Sequence, residues 1–285
     1  MTTRMVALLA NTKAGKGKSV SICNQIIARL REDRILFEEH RNEWPVDLKP
    51  YTDVFLIGGD GTLNYFINRY PEVRIPVSVF RGGSGNDFVW KLLGQRSFAE
   101  CYDIAIHGEA KPIDAGRCNG RYFINGVGIG FDGKVVRSMG QKKIISAGHI
   151  AYYITVLKEI LFYREPIVHF KNGPEEETKK VFMISIANGS RYGGGFMVAP
   201  QAVLNDGLLD LVYIDEIGLW GRLKYLPVVE KGKHLQLSFI HWRRLKKIII
   251  SSPVLLPAHL DGEFMESTEF DIEILPARFL FRTDT

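Results

Sequence analysis

Hydrophobic residues in the first hundred positions follow two alternating patterns. Compact apolar runs at Met5–Ala10, Asp53–Ile57 and Ile75–Phe80 are typical of buried strands, and a glycine loop follows each. After the first two loops, apolar residues recur at helical spacing, which predicts amphipathic helices. Strand, loop and helix repeated in this order predict parallel strands joined by helical crossovers. The two helical repeats are Cys23, Ile26, Ile27, Leu30 and Leu63, Phe66, Ile67, Tyr70.

The pattern changes near Ile113. Runs such as "RYFINGVGIGF", "VFMISIAN", "LLDLVYI" and "EFDIEIL" are rich in strand-forming residues and are separated by glycine and asparagine turns. They predict a mostly antiparallel β domain. One long helix interrupts these strands, and its spacing predicts that Ile150, Ile154, Leu157 and Leu161 form its buried face.

Composition and charge narrow the class of protein. The 285 residues are 46% hydrophobic and 24% charged, which indicates a globular chain and excludes a disordered one. A formal net charge of +5 suits an anionic partner but is too small to indicate nucleic acid. Three scattered cysteines form no disulfide framework or metal motif, and no apolar run reaches the length of a membrane span. We therefore expect a soluble, cytoplasmic protein.

Three glycine loops carry the candidate chemistry. "GGDGT" at Gly58–Thr62 lies between a strand and a helix, where backbone N–H groups and the helix terminus favour phosphate. Asp60 would repel a bare phosphate, so an acid there indicates an accompanying Mg²⁺. A tight Asp-Gly turn is the alternative, although the following helix disfavours a hairpin. "GGSGNDF" at Gly82–Phe88 is a second loop of this kind, and ligands of open α/β sheets bind where such loops gather.

The first loop ends in Gly17-Lys18-Ser19, the ending of the nucleotide-binding P-loop G-x-x-x-x-G-K-[ST]. Thr12 occupies the position of the first glycine that this motif requires. The P-loop interpretation therefore fails.

Together these loops carry a family resemblance. Asn11–Gly15, Gly58–Asn64 and Gly83–Phe88 resemble the soluble diacylglycerol kinase-like lipid kinases of bacteria, which are relatives of eukaryotic diacylglycerol and sphingosine kinases. "RYFINGVGIGFDGKV", "NGSRYGGGFMVAPQAVLNDGLLDL" and "HLDGE" are similar to the same family in the same order, so nearly the whole chain is covered. Residues 11–15 resemble the family's N-P-x-[AS]-G phosphate loop.

The resemblance implies an α/β plus β fold. Residues 1–112, completed by a C-terminal strand at about 277–285, would form a parallel-sheet α/β nucleotide-binding domain. Residues 113–276 would form an antiparallel β-sandwich domain that carries a metal site and the catalytic acid. The active site would lie in the cleft between the two domains.

Site residues follow from the resemblance only at matching positions. Glu263 would take the proton from the lipid hydroxyl, and Asp60 would act with it near Mg²⁺. Asp206, with the carbonyl oxygens of Val203 and Leu208, resembles a Mg²⁺ site that orders the β domain. The implied ATP-binding residues are Asn11, Thr12, Lys13, Ala14, Gly15, Gly58, Gly59, Gly61, Thr62, Leu63, Asn64 and Ser84.

Several positions depart from the family pattern. Thr12 replaces the usual proline, Arg81 stands where a proline commonly precedes the second loop, and Tyr65 occupies a position usually held by glutamate. The segment between the second strand and Gly58 is short, so a helix is expected to be missing there. The family's nucleotide contact in that region stays open between His40 and Arg41.

The function implied is an ATP-dependent kinase that phosphorylates a hydroxyl of a diacylglycerol-like or related lipid. The alternatives are an NAD kinase, which shares the GGDGT loop, and an inactive nucleotide-binding regulator. Asn64, the second loop and the terminal "DGE" favour the lipid kinase, and the presence of Asp60, Asp87 and Glu263 together disfavours the regulator. Diacylglycerol, a sphingoid base, phosphatidylglycerol and a polyprenol all remain open as the lipid.

The expected partners are ATP and a lipid substrate at a membrane surface, without nucleic acid; a homodimer stays open. Two basic stretches, Arg243–Lys247 and Lys142-Lys143, are candidates for contact with anionic lipid. Peripheral attachment to the inner membrane face would follow from such a contact.

Overall fold

The computed structural model describes residues 4–141 and 148–284. A short 3₁₀ turn at Ala14–Gly17 precedes the first helix. The helices are α1 (Lys18–Glu32), α2 (Asp60–Arg69), α3 (Asp87–Leu93), α4 (Phe98–His107), α5 (Phe131–Gln141), α6 (Gly148–Phe162) and α7 (Leu219–Glu230). The strands are β1 (Met5–Ala10), β2 (Leu36–Arg41), β3 (Asp53–Gly58), β4 (Val77–Arg81), β5 (Glu109–Cys118), β6 (Arg121–Phe123), β7 (Gly126–Gly130), β8 (Ile167–Asn172), β9 (Glu175–Ala187), β10 (Leu209–Asp215), β11 (Ile240–Leu245), β12 (Lys247–Leu260) and β13 (Glu263–Thr283).

The chain divides into two compact units. The first comprises Met1–Ile113 together with Ala277–Thr285, and the second comprises Asp114–Pro276. Among the described residues, no helix combines the length and the apolar character of a membrane span.

The first unit is built on parallel strands in the order β2-β1-β3-β4. β3 is buried along its whole length, and β1 is buried from Val6 to Ala10. Strands covered on both faces need apolar side chains at every position, which explains why these segments are continuous apolar runs rather than alternating ones. The connection between β2 and β3, residues 42–52, contains no helix.

The C-terminal segment returns to this first unit. Phe281 of β13 pairs in parallel with Val77 of β4. The buried carboxylate of Asp53 accepts hydrogen bonds from Arg4 at 2.8 Å and from Arg282 at 2.7 Å. Because a buried carboxylate is costly without partners, these two guanidinium groups stabilise the junction between the chain's first and last strands.

The second unit is mainly antiparallel. Its strands pair in the order β11-β10-β9-β7-β12-β13, and β8 also pairs with β9 and β12. One apolar core lies on these strands and includes Phe123, Phe170 and Phe270. A second core forms where α5, α6 and α7 cover β9 and β10.

The predicted buried face of the long helix was wrong at two positions: Ile154 is 61% exposed and Leu161 is 52% exposed, whereas Leu157 is half-buried. The buried residues among those of α6 whose side chains are described are Thr155, Val156 and Ile160. The side chain of Ile150 lies outside the described residues. α6 is apolar on most of its circumference, so the spacing alone did not show which side packs against α5 and α7.

Candidate functional site

Three loops meet at one edge of the parallel strands in the first unit. They follow β1, β3 and β4, and they touch through glycines. A Cβ atom on Gly83 would lie 2.3 Å from the Cα of Gly59, and one on Gly15 would lie 2.1 Å from the carbonyl oxygen of Gly82. Both distances are far below van der Waals contact, so only glycine permits this approach.

Asn11 holds the first loop to the second. Its side-chain amide donates a hydrogen bond to the hydroxyl of Thr62 at 3.0 Å, and its Oδ1 accepts one from the N–H of Lys13 at 3.1 Å. The hydroxyl of buried Ser19 donates to the carbonyl oxygens of Asn11 at 2.7 Å and Ala14 at 3.0 Å. Ser19 therefore closes the loop internally, in contrast with the metal-binding serine of a P-loop.

Asp60 joins the second loop to the third. Its carboxylate oxygens accept hydrogen bonds from the N–H groups of Asp87, at 3.0 Å, and Phe88, at 3.2 Å. These are the first two residues of α3, whose N-cap residue Asn86 makes no side-chain cap of its own. Asp60 thus supplies the cap from another loop. In addition, Asn86 accepts a hydrogen bond from Gly83 N–H and donates one to its carbonyl oxygen.

A pocket of about 220 Å³ opens beside these loops. Its lining is Asn11, Lys13, Asn42, Trp44, Gly61, Thr62 and Tyr65. One end therefore consists of the loop residues expected to bind phosphate. The other end is aromatic, because the rings of Trp44 and Tyr65 lie 5.1 Å apart at 60°.

The connection after β2 contributes residues that the sequence did not single out. Asn42 accepts hydrogen bonds from the N–H of Thr12 at 3.1 Å and from its hydroxyl at 2.9 Å. Thr12 thus replaces a proline with a side chain that pairs across the site. His40 and Arg41, the two residues considered for the nucleotide contact, have other partners. His40 contacts Tyr51, and Arg41 pairs with Glu39 and Asn24. The feature of the sequence that could have pointed to Asn42 is the short connection between β2 and β3.

The remaining predicted nucleotide-binding residues differ in exposure. Leu63 and Asn64 are buried as whole residues, so neither presents an exposed group to a ligand. Lys13 and Ser84 are exposed. Arg81 donates to the carbonyl oxygen of Gly94, a contact that no proline would make.

Glu263 lies in the second unit, directly after a two-residue hairpin turn. Asp261 and Gly262 both have positive φ angles, +48° and +88°, as a type I′ turn requires. The Asp261 carboxylate accepts hydrogen bonds from the N–H groups of Ile124, Asn125 and Gly126 at 2.8–2.9 Å. The turn is therefore fixed, and it presents Glu263 as an exposed side chain to which no described residue donates.

A buried polar cluster in the same unit was not predicted. Tyr192 donates a hydrogen bond to Asp132, and its ring lies edge-on to His259 with centroids 4.9 Å apart. Burial raises the pKa of Asp132 to about 6 and lowers the pKa of His259 to about 4. Asp132 and Tyr192 also line an apolar cavity beneath α6 and α7. The sequence offered only the glycine-flanked "GFDG" as a signal.

The predicted metal-binding turn contains an arginine neighbour. Asp206 accepts a hydrogen bond from Leu208 N–H at 3.0 Å, and Asp114 accepts one from Gly207 N–H at 2.7 Å. The guanidinium of Arg244 lies 3.9 Å from the Asp206 carboxylate and donates to the carbonyl oxygen of Gln201. Within the described residues, no three acidic, histidine or cysteine side chains converge as metal ligands would.

The basic stretch Arg243–Lys247 is largely neutralised by acids. Arg243 lies 3.7 Å from Glu175, Arg244 faces Asp206, and Lys247 lies 3.0 Å from Asp271. The other basic stretch, Lys142-Lys143, lies outside the described residues.

These features define a class: an α/β unit with three glycine loops at one edge of its parallel strands, followed by a β-rich unit with a fixed acidic hairpin. Comparisons with known proteins agree. Residues 5–118 match the diacylglycerol kinase catalytic domain, and residues 125–280 match the YegS C-terminal NAD kinase beta sandwich-like domain. The chain therefore belongs to the family of lipid kinases that combines these two domains.

Relatives match along most of the chain. A diacylglycerol kinase of Mycobacterium tuberculosis is 27% identical over 288 residues, covering 95% of this chain and 93% of its own. A diacylglycerol kinase of Bacillus subtilis is 26% identical, covering 76% and 73%. The crystal structure of a diacylglycerol kinase from Bacillus anthracis superposes with a TM-score of 0.73 at 20% identity, covering 98% and 96%. At this low sequence identity, the similarity to the Bacillus anthracis structure shows the fold alone.

Proposed function

We propose that this lipid kinase transfers the γ-phosphate of ATP to a hydroxyl group of a diacylglycerol-like or related lipid. The observation that carries the proposal is the pocket in the first unit, where glycine loops and Lys13 meet an aromatic end. Phosphoryl transfer depends on positioning the phosphates and neutralising their charge, and such loops provide donors for both.

The pocket suggests how the nucleotide lies. Its phosphates would contact the end formed by Asn11, Gly61 and Thr62, where the helix α2 begins and the positive end of its dipole favours an anion. Its base would reach the aromatic end, where the exposed ring of Tyr65 offers a stacking surface beside Trp44. Aromatic stacking contributes about 1–3 kcal/mol per base and tolerates different bases.

The chemistry assigns roles to two acids. Glu263 would accept the proton of the lipid hydroxyl, because its carboxylate is exposed on a rigid turn. Asp60 would face a Mg²⁺ ion that accompanies ATP. Its carboxylate is a ligand type that a hard cation such as Mg²⁺ accepts. When bound, Mg²⁺ would offset the charge of the phosphates.

A second Mg²⁺ site at Asp206 is part of the proposal. The Asp206 carboxylate and the peptide oxygens of Val203 and Leu208 are ligand types that Mg²⁺ accepts. Arg244 beside Asp206 is a competing cation, so the site would bind the ion weakly. We also propose that the two units enclose the active site, that residues 1–112 with 277–285 bind the nucleotide, and that the enzyme acts at a membrane surface, alone or as a homodimer.

The decisive experiment offers radiolabelled ATP and a panel of lipids in mixed micelles, with NAD as one member. We expect a labelled lipid and no labelled NAD. Labelled NAD with every lipid inert would replace the lipid kinase by an NAD kinase, and no transfer at all would leave a nucleotide-binding regulator.

The nucleotide pose has its own test. Tyr65→Ala should weaken ATP binding by about tenfold or more, the loss of one stacking contact, while binding of inorganic tripolyphosphate stays unchanged. Equal losses for both ligands would show that Tyr65 supports the loops rather than the base.

A further inference from the structure

Exposed apolar side chains cluster on one side of the second unit. The largest are Trp220 at the start of α7, which is 82% exposed, and Phe162 at the end of α6, which is 77% exposed. Ile167 at the start of β8 and the pair Val254 and Leu255 in β12 are more than half exposed. Large apolar groups that share one surface are typical of a contact site.

Hydrogen bonds bring the three segments together. The Arg222 guanidinium donates to the carbonyl oxygens of Ile160 and Tyr163, both at 2.9 Å, and so fixes the first turn of α7 beside the end of α6. The hydroxyl of Ser252 donates to the carbonyl oxygen of Ile167 at 2.9 Å. Since only three residues separate Tyr163 from Ile167, all three segments lie around the start of β8.

The β12 segment is shaped to protrude. Ser251 pairs with Glu269, and the next pair along the ladder joins Leu256 to Ser267. Residues 252–255 therefore face a single residue of β13, and this bulge leaves Val254 and Leu255 exposed. A regularly paired strand would have no extra residues at this point to carry exposed apolar side chains.

Basic groups predominate around this apolar face. Glu165 is paired with Arg222 and Glu216 with Lys180. Two acids keep their charge: Glu159 in α6, which accepts a hydrogen bond from Ser138, and exposed Glu269 beside the bulge. Three exposed bases, Lys158, Arg164 and Lys224, have no acidic partner among the described residues. A positive rim around aromatic and aliphatic groups matches an anionic bilayer and would repel a second copy of the same face.

We propose that this apolar face, formed by Phe162, Ile167, Trp220, Val254 and Leu255, docks the protein onto an anionic lipid bilayer. Trp220 and Phe162 would lie in the interfacial region, and the three unpaired bases would contact lipid phosphates. The inference rests on the proposed function for its purpose, because a lipid substrate lies in a bilayer. It takes the place of the largely neutralised Arg243–Lys247 stretch as the proposed contact surface.

The test is flotation of the full chain with phosphatidylcholine vesicles, with and without phosphatidylglycerol. We expect binding only to the anionic vesicles, and at least about a tenfold loss in the Trp220→Ser/Phe162→Ser variant. The matched control is Val46→Ser, which removes a 92% exposed apolar side chain from the first unit and should change nothing. Lys224→Gln/Arg164→Gln should remove the preference for anionic lipid.

Undiminished flotation of the Trp220→Ser/Phe162→Ser variant would overturn the proposal, as would a change in oligomeric state without a change in flotation. Phosphorylation of a water-soluble, short-chain diacylglycerol separates this outcome from failure of the proposed function. The variant should keep that activity while losing activity on vesicles. If the wild type phosphorylates no lipid, the proposed function fails, and flotation still decides the docking surface.

Discussion

The carboxylate of Asp60 accepts a hydrogen bond from the backbone N–H of Asp87 at 3.0 Å, across two separate glycine loops. Phe88 N–H binds the other carboxylate oxygen at 3.2 Å. The acid of "GGDGT" therefore has a structural task as well as its proposed place near Mg²⁺: it fixes the start of α3 and with it the geometry of the third loop. A single side chain connects two of the three glycine loops at this edge of the sheet.

Replacing Asp60 should separate these two tasks. Asp60→Asn retains one acceptor oxygen but loses the negative charge, so we expect a modest loss of stability, about 1 kcal/mol, and a higher KM for ATP. Asp60→Ala loses both bonds and should cost about 2 kcal/mol. Thermal unfolding and steady-state kinetics measure the two effects. A wild-type KM in Asp60→Asn would exclude a role toward the nucleotide.

Close packing of glycines at the loops gives a second prediction. In Gly83→Ala the new methyl group would lie 2.3 Å from the Cα of Gly59, so the two loops must move apart. We expect ATP binding to fall at least about tenfold, because a displacement near 1 Å is enough to spoil such a site. Gly140→Ala is the control, since a Cβ there meets open space. Isothermal titration with ATP compares them, and equal affinities would show that the loops adapt.

Local sequence predicted the glycine loops because their chemistry is local: a strand, a tight loop and a helix in succession. It could not show that Asp60 caps α3, because that contact joins residues 27 positions apart. Asn42 and Trp44 were missed for a similar reason, since they enter the pocket only through the short connection after β2. In α6, apolar residues on several sides made the buried face ambiguous, and only tertiary packing selected Val156 and Ile160.

The Asp206 turn gives a third prediction. If Mg²⁺ binds there, its removal by a chelator should lower the melting temperature of the wild type and leave Asp206→Ala unchanged. Arg244→Gln is the informative companion, because it removes the competing guanidinium and should increase the stabilisation by Mg²⁺. A melting temperature independent of Mg²⁺ in all three proteins would reduce Asp206 to a turn residue that holds Leu208 N–H.

Glu263→Gln tests the proposed base. Glutamine has nearly the same shape and can hold the acceptor hydroxyl, but it cannot take the proton. General base catalysis typically contributes 10²–10⁴-fold, so we expect kcat to fall by about that factor while the KM for ATP stays unchanged. The control variant is Glu266→Gln, which changes an exposed glutamate nearby and should leave kcat intact. A near-normal kcat for Glu263→Gln would transfer the proton acceptor's role to another group or to solvent.

The last prediction concerns the buried residues Asp132 and His259 and how the stability of the folded protein changes with pH. Burial raises the pKa of Asp132 to about 6, above its unfolded value, so the folded state binds more protons there and loses stability as pH rises from about 4 to 6. Burial lowers the pKa of His259 to about 4, below its unfolded value. The unfolded state therefore binds more protons at this residue, and the folded protein loses stability as pH falls from about 6.5 to 4. The two slopes are opposite and largely cancel in the wild type.

Each single variant should therefore reveal the other group's slope. Relative to the wild type, Asp132→Asn should gain stability on raising the pH from about 4 to 6, and His259→Gln should gain it on lowering the pH from about 6.5 to 4. Two pKa units correspond to about 3 kcal/mol, which sets the upper limit of each change. Urea unfolding across this range measures both. Differences from the wild type that are constant with pH would mean that neither group titrates as a buried residue in the folded protein.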